Sequence, residues 1–169
     1  YYNCNTNYTG KGVDQLQNII DVLKSDDKTS RRLILSAWNP NEIDEMALPP
    51  CHILSQFHVT NGDEFSVSLY GRSGDVGLGI PFNIASYSFL THIIATMCDL
   101  KPKEFIHHIG NAHIYDDHIN PLEKQTLRTP LPFPILNIDK LSDINEYEMK
   151  HFTLENYNHL EPIKMKMRV

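Results

Sequence analysis

Apolar residues repeat along this chain with two different periods, and the switches between them outline its elements. From Gly12 to Ser25, Val13, Leu16, Ile19, Ile20 and Leu23 recur at intervals that line one face of a helix. Asp14 stands in the first turn, where the helix dipole favours an acid. Beyond the loop of residues 26–30, Leu33, Ile34 and Leu35 within Arg31 to Trp38 predict a strand. Pro40 and the pair Pro49-Pro50 punctuate the following loop. Cys51 to Thr60 then alternates, with Cys51, Ile53, Ser55, Phe57 and Val59 on one side and His52, Leu54, Gln56, His58 and Thr60 on the other. Asn61-Gly62 is a hairpin signal, and Phe65, Val67 and Leu69 alternate with Ser66, Ser68 and Tyr70 in the return strand.

Residues 71–79 form a glycine-rich loop, and Asn83 to Asp99 is apolar on nearly every side, which predicts a buried central helix. Lys103 to His113 suits a strand, and Asp116 to Thr126 a short helix stopped by Thr129-Pro130-Leu131-Pro132. Phe133 to Ile138 predicts another strand, and the alternation of Ile163 to Met167 a short final one. The sum is an α+β protein with a mainly antiparallel or mixed sheet. No internal repeat, low-complexity segment or linker divides it, so residues 1–169 read as one folding unit.

Composition narrows the class of function. Fifteen Lys+Arg against 21 Asp+Glu give a net charge of −6, which argues against a non-specific nucleic-acid or membrane-surface binder. No apolar run reaches the roughly 20 residues of a membrane span. Tyr1-Tyr2-Asn3-Cys4-Asn5 has neither the basic end nor the apolar stretch of a signal peptide. Cys4, Cys51 and Cys98 are odd in number and far apart, which suits a reducing compartment such as the cytoplasm. The first residue is Tyr1, so a piece of a longer chain is expected.

Four groupings carry candidate chemistry. Pro49-Pro50-Cys51-His52 places a thiol where a rigid loop enters a strand, as a nucleophile or as a buried strand-start cysteine. Arg31, Arg32, Arg72 and Ser73 contain the forks and hydroxyl of a phosphate clamp, although each arginine taken alone reads as a solvated surface charge. The glycines of residues 71–79 match no nucleotide fingerprint and suit tight turns beside a ligand or another chain. His107, His108, His113 and His118 follow no standard zinc spacing, so no metal is expected.

Taken together, Gly12-Val13-Asp14-Gln15-Leu16, Arg31-Arg32, Ala37-Trp38-Asn39-Pro40 and Met46 to His52 resemble thymidylate synthase. The Arg72 to Tyr87 segment, Gly110-Asn111-Ala112-His113-Ile114-Tyr115 and the tail ending at Val169 continue that resemblance in the same order. It implies a layered α+β fold with a large mixed sheet at a dimer interface. It also implies reductive methylation of dUMP to dTMP, with methylene-tetrahydrofolate giving both carbon and hydride and no NAD(P) or metal. Cys51 matches the nucleophile that adds to the pyrimidine. Arg72 matches a residue touching both phosphate and nucleophile, and Ser73 a phosphate ligand, with Gly74 and Asp75 beside it on the substrate side. Asn83 matches the reader of the uracil edge, since an amide both donates and accepts. Cys51, Arg72 and Asn83 are thus the catalytic set that the resemblance implies. His113 and Tyr115 match ligands of the deoxyribose hydroxyl. Asp75, Leu78, Gly79, Phe82 and Val169 match folate-side positions. Arg31 and Arg32 match arginines that reach the phosphate of the neighbouring subunit, so a homodimer is expected.

The chain departs from the family pattern at Gly71, usually glutamine, and at His58, usually tyrosine. The family's N-terminal segment has no counterpart here, so residues 1–169 are expected to be the C-terminal portion of the catalytic domain. The family also occurs fused to dihydrofolate reductase. A second reading is a non-catalytic dimerisation or scaffold fragment of the same fold. A cysteine hydrolase built on Cys51 and His52 is disfavoured, because neighbouring strand residues point to opposite faces.

Overall fold

The computed structural model describes residues 12–168. Val169 and Cys4 lie outside them. A four-stranded mixed sheet organises the molecule in the order β1-β2-β3-β5, with β1 (Ile34–Ser36), β2 (His52–Thr60), β3 (Glu64–Gly71) and β5 (Lys101–Ile109). The β1–β2 and β2–β3 pairs are antiparallel and β3–β5 is parallel. The parallel pair needs a crossover, which α2 (Gly79–Met97) supplies. Two minor pairs complete the sheets: β4 (Gly74–Asp75) with β6 (Ala112–His113), and β7 (Ile135–Ile138) with β8 (Phe152–Glu155).

The core lies on one face of the sheet. Phe57, Val59, Phe65 and Val67 pack there with Ile19, Ile20 and Leu23 of α1 (Gln15–Leu23) and with Ile93, Ile94, Ala95 and Met97 of α2. Asp14 caps α1 by accepting from the Gln17 amide. Asn61 and Gly62 both take positive φ, 50° and 90°, at the hairpin between β2 and β3.

Several expectations change. The strand expected over residues 31–38 is only β1, and the one expected over 103–113 is β5 and β6 separated by Gly110-Asn111. The tail 163–168 forms no strand; its alternation reflects half-buried Ile163 and Met165 lying against the body of the protein. β8 pairs instead with β7; Phe152-Thr153-Leu154-Glu155 does alternate, but over only four residues, too short a run to stand out as a strand. The central helix is buried only in its second half. Phe82 is 72% exposed and Ile84 46%, whereas Ile94 and Ala95 are fully buried.

One correction bears on the site. His52 pairs with Gly71 and Leu54 with Tyr70, so Ile53 is an extra residue in β2. Such a bulge reverses the facing of everything before it. His52 therefore lies on the core side, its ring 5.2 Å from Tyr87 of α2, and the side shared by Cys51, Ile53 and Ser55 in the simple alternation does not exist.

Candidate active site

The ends of β2, β3 and β5 that lie away from the Asn61 hairpin converge, and Cys51 stands at that convergence. Its carbonyl accepts from the Arg72 amide at 2.9 Å. The Arg72 side chain turns back on the loop before Cys51: Nε donates to the Pro50 carbonyl at 3.0 Å and Nη2 to the Pro49 carbonyl at 2.8 Å. Both carbonyls lie in the loop before β2, outside the strand ladder, and a charged donor makes the stronger bond. A guanidinium has five N–H donors, and these bonds use two. Cys51 is half-buried and its thiol free.

Backbone bonds carry the network onward. Gly110 N donates to Gly71 O at 2.8 Å, Asn111 N to Arg72 O at 3.1 Å and Gly74 N to Asn111 O at 2.9 Å. Gly110 admits this closeness, because a Cβ there would lie 2.8 Å from Tyr70 Oη and 3.1 Å from the Arg72 carbonyl. β4 and β6 align Asp75 with His113. His113 Nδ1 lies 3.2 Å from Asn111 Oδ1, and the His113 and Tyr115 rings meet edge-on at 5.2 Å. Ser73 and Gly74 lie between Arg72 and this pair, Ser73 half-buried and Gly74 buried.

Asp75 organises the next turn. Its Oδ1 accepts from Gly77 N at 2.9 Å and its Oδ2 from Leu78 N at 3.3 Å, so the carboxylate holds the loop that enters α2. Leu78 is the residue before α2, Gly79 its first residue, and Phe82 projects into solvent from its first turn. Asn83 is half-buried and one turn before Tyr87, and residues four apart share a helix face. Since Tyr87 packs on His52, Asn83 lies on the face turned toward the start of β2.

Cys51, Arg72, Gly74, Asp75 and His113 are thus linked by backbone and side-chain bonds, with Ser73 between Arg72 and Gly74, Tyr115 in ring contact with His113, and Leu78, Gly79, Phe82 and Asn83 beside them. Arg31 and Arg32 are not. The β1–β2 register sets Ile34 opposite Gln56 and Leu33 O on Phe57 N, so the two arginines lie further toward the hairpin, both exposed. Among the described residues no group of three or more His, Cys, Asp and Glu is arranged to hold a metal, and no helix is long and apolar enough to cross a membrane.

Two histidines that the sequence analysis weighed only as metal ligands stand beside the site. His107 lines the wall opposite Gly71: a Cβ on Gly71 would lie 3.3 Å from its Nε2, and its Nδ1 is buried without a partner. Burial, then the charges of His52 and His108, hold its pKa below the usual histidine value. His118, weighed only as a metal ligand, is fully buried beside Asp75. The alternation of β5 could have placed His107 inward; His118 lies in a short 3-10 turn whose facing has no periodic signal.

The thymidylate synthase family model matches residues 2–169. A bifunctional dihydrofolate reductase-thymidylate synthase of Zea mays is 51% identical over 170 residues, covering 100% of this chain and 32% of that protein. A thymidylate synthase of Homo sapiens is 51% identical over 170 residues, covering 100% of this chain and 54% of that protein. One of Saccharomyces cerevisiae is 49% identical, with 100% of this chain and 58% of that protein covered. The chain thus spans between about a third and somewhat over half the length of these relatives. With a family match across nearly the whole sequence and about half of all residues shared with these relatives, the chain belongs to the thymidylate synthase family.

Proposed function

We propose that this chain provides the nucleotide-binding and nucleophilic part of a site that converts dUMP to dTMP with methylene-tetrahydrofolate. The observation that carries the reading is the tie between Cys51 and Arg72. One arginine bonds the carbonyls of Pro49 and Pro50 through its side chain and that of Cys51 through its amide. A nucleophile and a cation fit for phosphate are thereby fixed to each other, and the unused guanidinium donors point the reading toward the dUMP phosphate, with Ser73 as a second ligand.

In this reading the Cys51 thiolate adds to the ring carbon beside the one to be methylated. The resulting enolate attacks the one-carbon unit of methylene-tetrahydrofolate. One carbon–nitrogen bond of the folate opens as the new bond forms. Loss of the proton from the ring carbon then expels the folate nitrogen and leaves an exocyclic methylene. The released tetrahydrofolate gives its hydride to that methylene, becoming dihydrofolate, while thiolate departure restores the ring double bond. Asn83 pairs with the uracil N–H and carbonyl, and Gly74, Asp75, His113 and Tyr115 line the nucleotide. Asp75, Leu78, Gly79, Phe82 and Val169 form the folate side. The mechanism calls on neither metal nor NAD(P).

A homodimer completes the site. Ile34, Leu54 and Tyr70 are 42%, 38% and 43% exposed on the sheet face away from the core, among Gln56 and Ser68. Such a mixture suits a partly polar subunit interface. The distance of Arg31 and Arg32 from their own Cys51 fits arginines that serve the partner's phosphate. The free thiols suit the cytoplasm, and residues 1–169 form the C-terminal portion of the catalytic domain.

Intact mass after incubation with fluoro-dUMP and methylene-tetrahydrofolate tests the reading. A covalent adduct that Cys51→Ala abolishes is expected. No adduct from folded, dimeric protein would turn the interpretation to the scaffold fragment.

A further inference from the structure

His118 has no exposed surface, yet the reaction just described does not use it. Its Nε2 lies 2.8 Å from the Lys166 carbonyl, and because a carbonyl only accepts, Nε2 carries the proton and donates. Nδ1, on the other side of the ring, faces Asp75 Oδ1 at 3.6 Å and makes no hydrogen bond. The same ring edge limits position 77: a Cβ on Gly77 would lie 2.7 Å from His118 Nδ1, 3.3 Å from Asp75 Oδ1 and 3.3 Å from Met165 Sδ. The turn before α3 (Ile119–Thr126), the loop entering α2 and the tail therefore meet at one point. Arg168 adds a second tie, its Nη2 donating to Asp117 Oδ2 at 2.6 Å. The Tyr115 ring closes the remaining side of His118 at 5.5 Å.

We propose that His118 is a positioning residue that staples the tail segment 163–168 to the Asp75–Leu78 loop and so sets how tightly the pocket holds folate. The folate half of this statement rests on the functional reading above. The physical argument is one of unequal strength. The Arg168–Asp117 pair is exposed and exchanges readily with water. The His118–Lys166 bond has its donor fully buried, where an unmade hydrogen bond is costly. The Asp75 carboxylate is already committed to Gly77 and Leu78, so a tail seated on His118 is registered against the loop rather than against a mobile side chain.

Tryptic cleavage after Lys164 and Lys166, followed by intact mass, reads the staple directly. In His118→Leu the tail is expected to be cut about tenfold faster, the scale of one buried hydrogen bond. His118→Gln keeps a donor for the Lys166 carbonyl and should restore most of the protection. Gly77→Ala is a second arm should His118→Leu fail to fold, because its methyl displaces the imidazole without removing it. Wild-type cleavage rates in folded His118→Leu or Gly77→Ala would overturn the staple. Calorimetric titration of methylene-tetrahydrofolate into dUMP-saturated protein, in a Cys51→Ala background so that no turnover occurs, reads the other half: affinity about tenfold weaker when His118→Leu is added, beyond any change in dUMP affinity, is expected. A released tail with unaltered folate affinity would overturn that half. A wild-type protein that binds no folate would instead refute the reading of the pocket, and the cleavage rates alone would then decide the staple.

Discussion

The two ends of the central sheet are built in opposite ways. At the hairpin end, Asn61–Glu64 and the start of β5 are joined on the surface by Lys101–Asp63 and Lys103–Glu64 ion pairs, above buried Phe57 and Phe65, whose rings stack at 6.1 Å. At the Cys51 end the bonds run inward, from Arg72 to two proline carbonyls and from Asp75 to the loop before α2. The first end is stabilised by apolar burial, and its polar bonds lie on the surface. The second spends its polar groups on holding a thiol, a guanidinium and a carboxylate in fixed relation. On the proposed function, substitutions at the hairpin end should cost stability and leave the chemistry, whereas those at the Cys51 end should remove the chemistry at a smaller cost in stability.

The largest effect is expected at the hairpin end. Phe65→Ala should cost about 3–5 kcal/mol in denaturant unfolding, the range for a buried aromatic replaced by alanine. Protein that remains folded should still form the fluoro-dUMP adduct, and loss of the adduct there would break the separation. Next comes Arg72→Met. It should cost about 2 kcal/mol, because two charge-assisted bonds to half-buried carbonyls are lost, and it should abolish the adduct altogether.

The cysteines sharpen the comparison further. Cys98, near the start of β5, is buried, and burial pushes its thiol up from 9.0 to about 11, whereas Cys51 is half-buried. Iodoacetamide at pH 8 should therefore modify Cys51 and spare Cys98, as peptide mass mapping would show. In the unfolded chain the Cys98 thiol ionises near 9.0, while in the folded protein it stays protonated to about 11. The unfolded state then binds fewer protons, so this group's contribution to stability falls as pH rises between those values. Urea midpoints in Cys98→Ala should lose that part of the alkaline slope.

The smallest effect belongs to the surface pairs. The Lys103 hydrogen bond holds the Glu64 carboxyl below its ordinary value, and the reciprocal bond raises Lys103. Their contribution is present above the ordinary Glu value and lost as pH falls through the lowered one. It is lost again at alkaline pH as Lys103 deprotonates. Both groups are exposed, so Lys103→Ala should barely move the thermal midpoint, and any shift should vanish in 1 M salt.

Much of the architecture was legible because burial on one side of an element imposes a period. Ile19, Ile20 and Leu23 announced α1, and Phe57, Val59, Phe65 and Val67 announced the β2–β3 hairpin, with Asn61-Gly62 supplying the turn. The residues proposed for the site came from the family resemblance, and of the described ones all but Arg31 and Arg32 lie in one neighbourhood of the structure. Three features had no such trace. The bulge at Ile53 inserts a residue without changing the alternation of residue types, yet it turns His52 toward Tyr87. The exposed first half of α2 reads as apolar as its buried second half, because composition does not say what covers a face. His118 lies in a turn too short to have a period, and its partners come from Asp75 and Lys166, 43 and 48 residues away.

By itself the sequence determined α1, the β2–β3 hairpin, the long helix after it and the family. Each depends on residues near one another in the chain or on a motif read in order. Only the tertiary structure decided that Arg72 grips the prolines before Cys51, that His52 faces inward, and that the tail meets the Asp75 loop at His118. Those contacts join segments brought together by sheet register and close packing. Their energies depend on which polar groups are left facing each other once the apolar surfaces have closed.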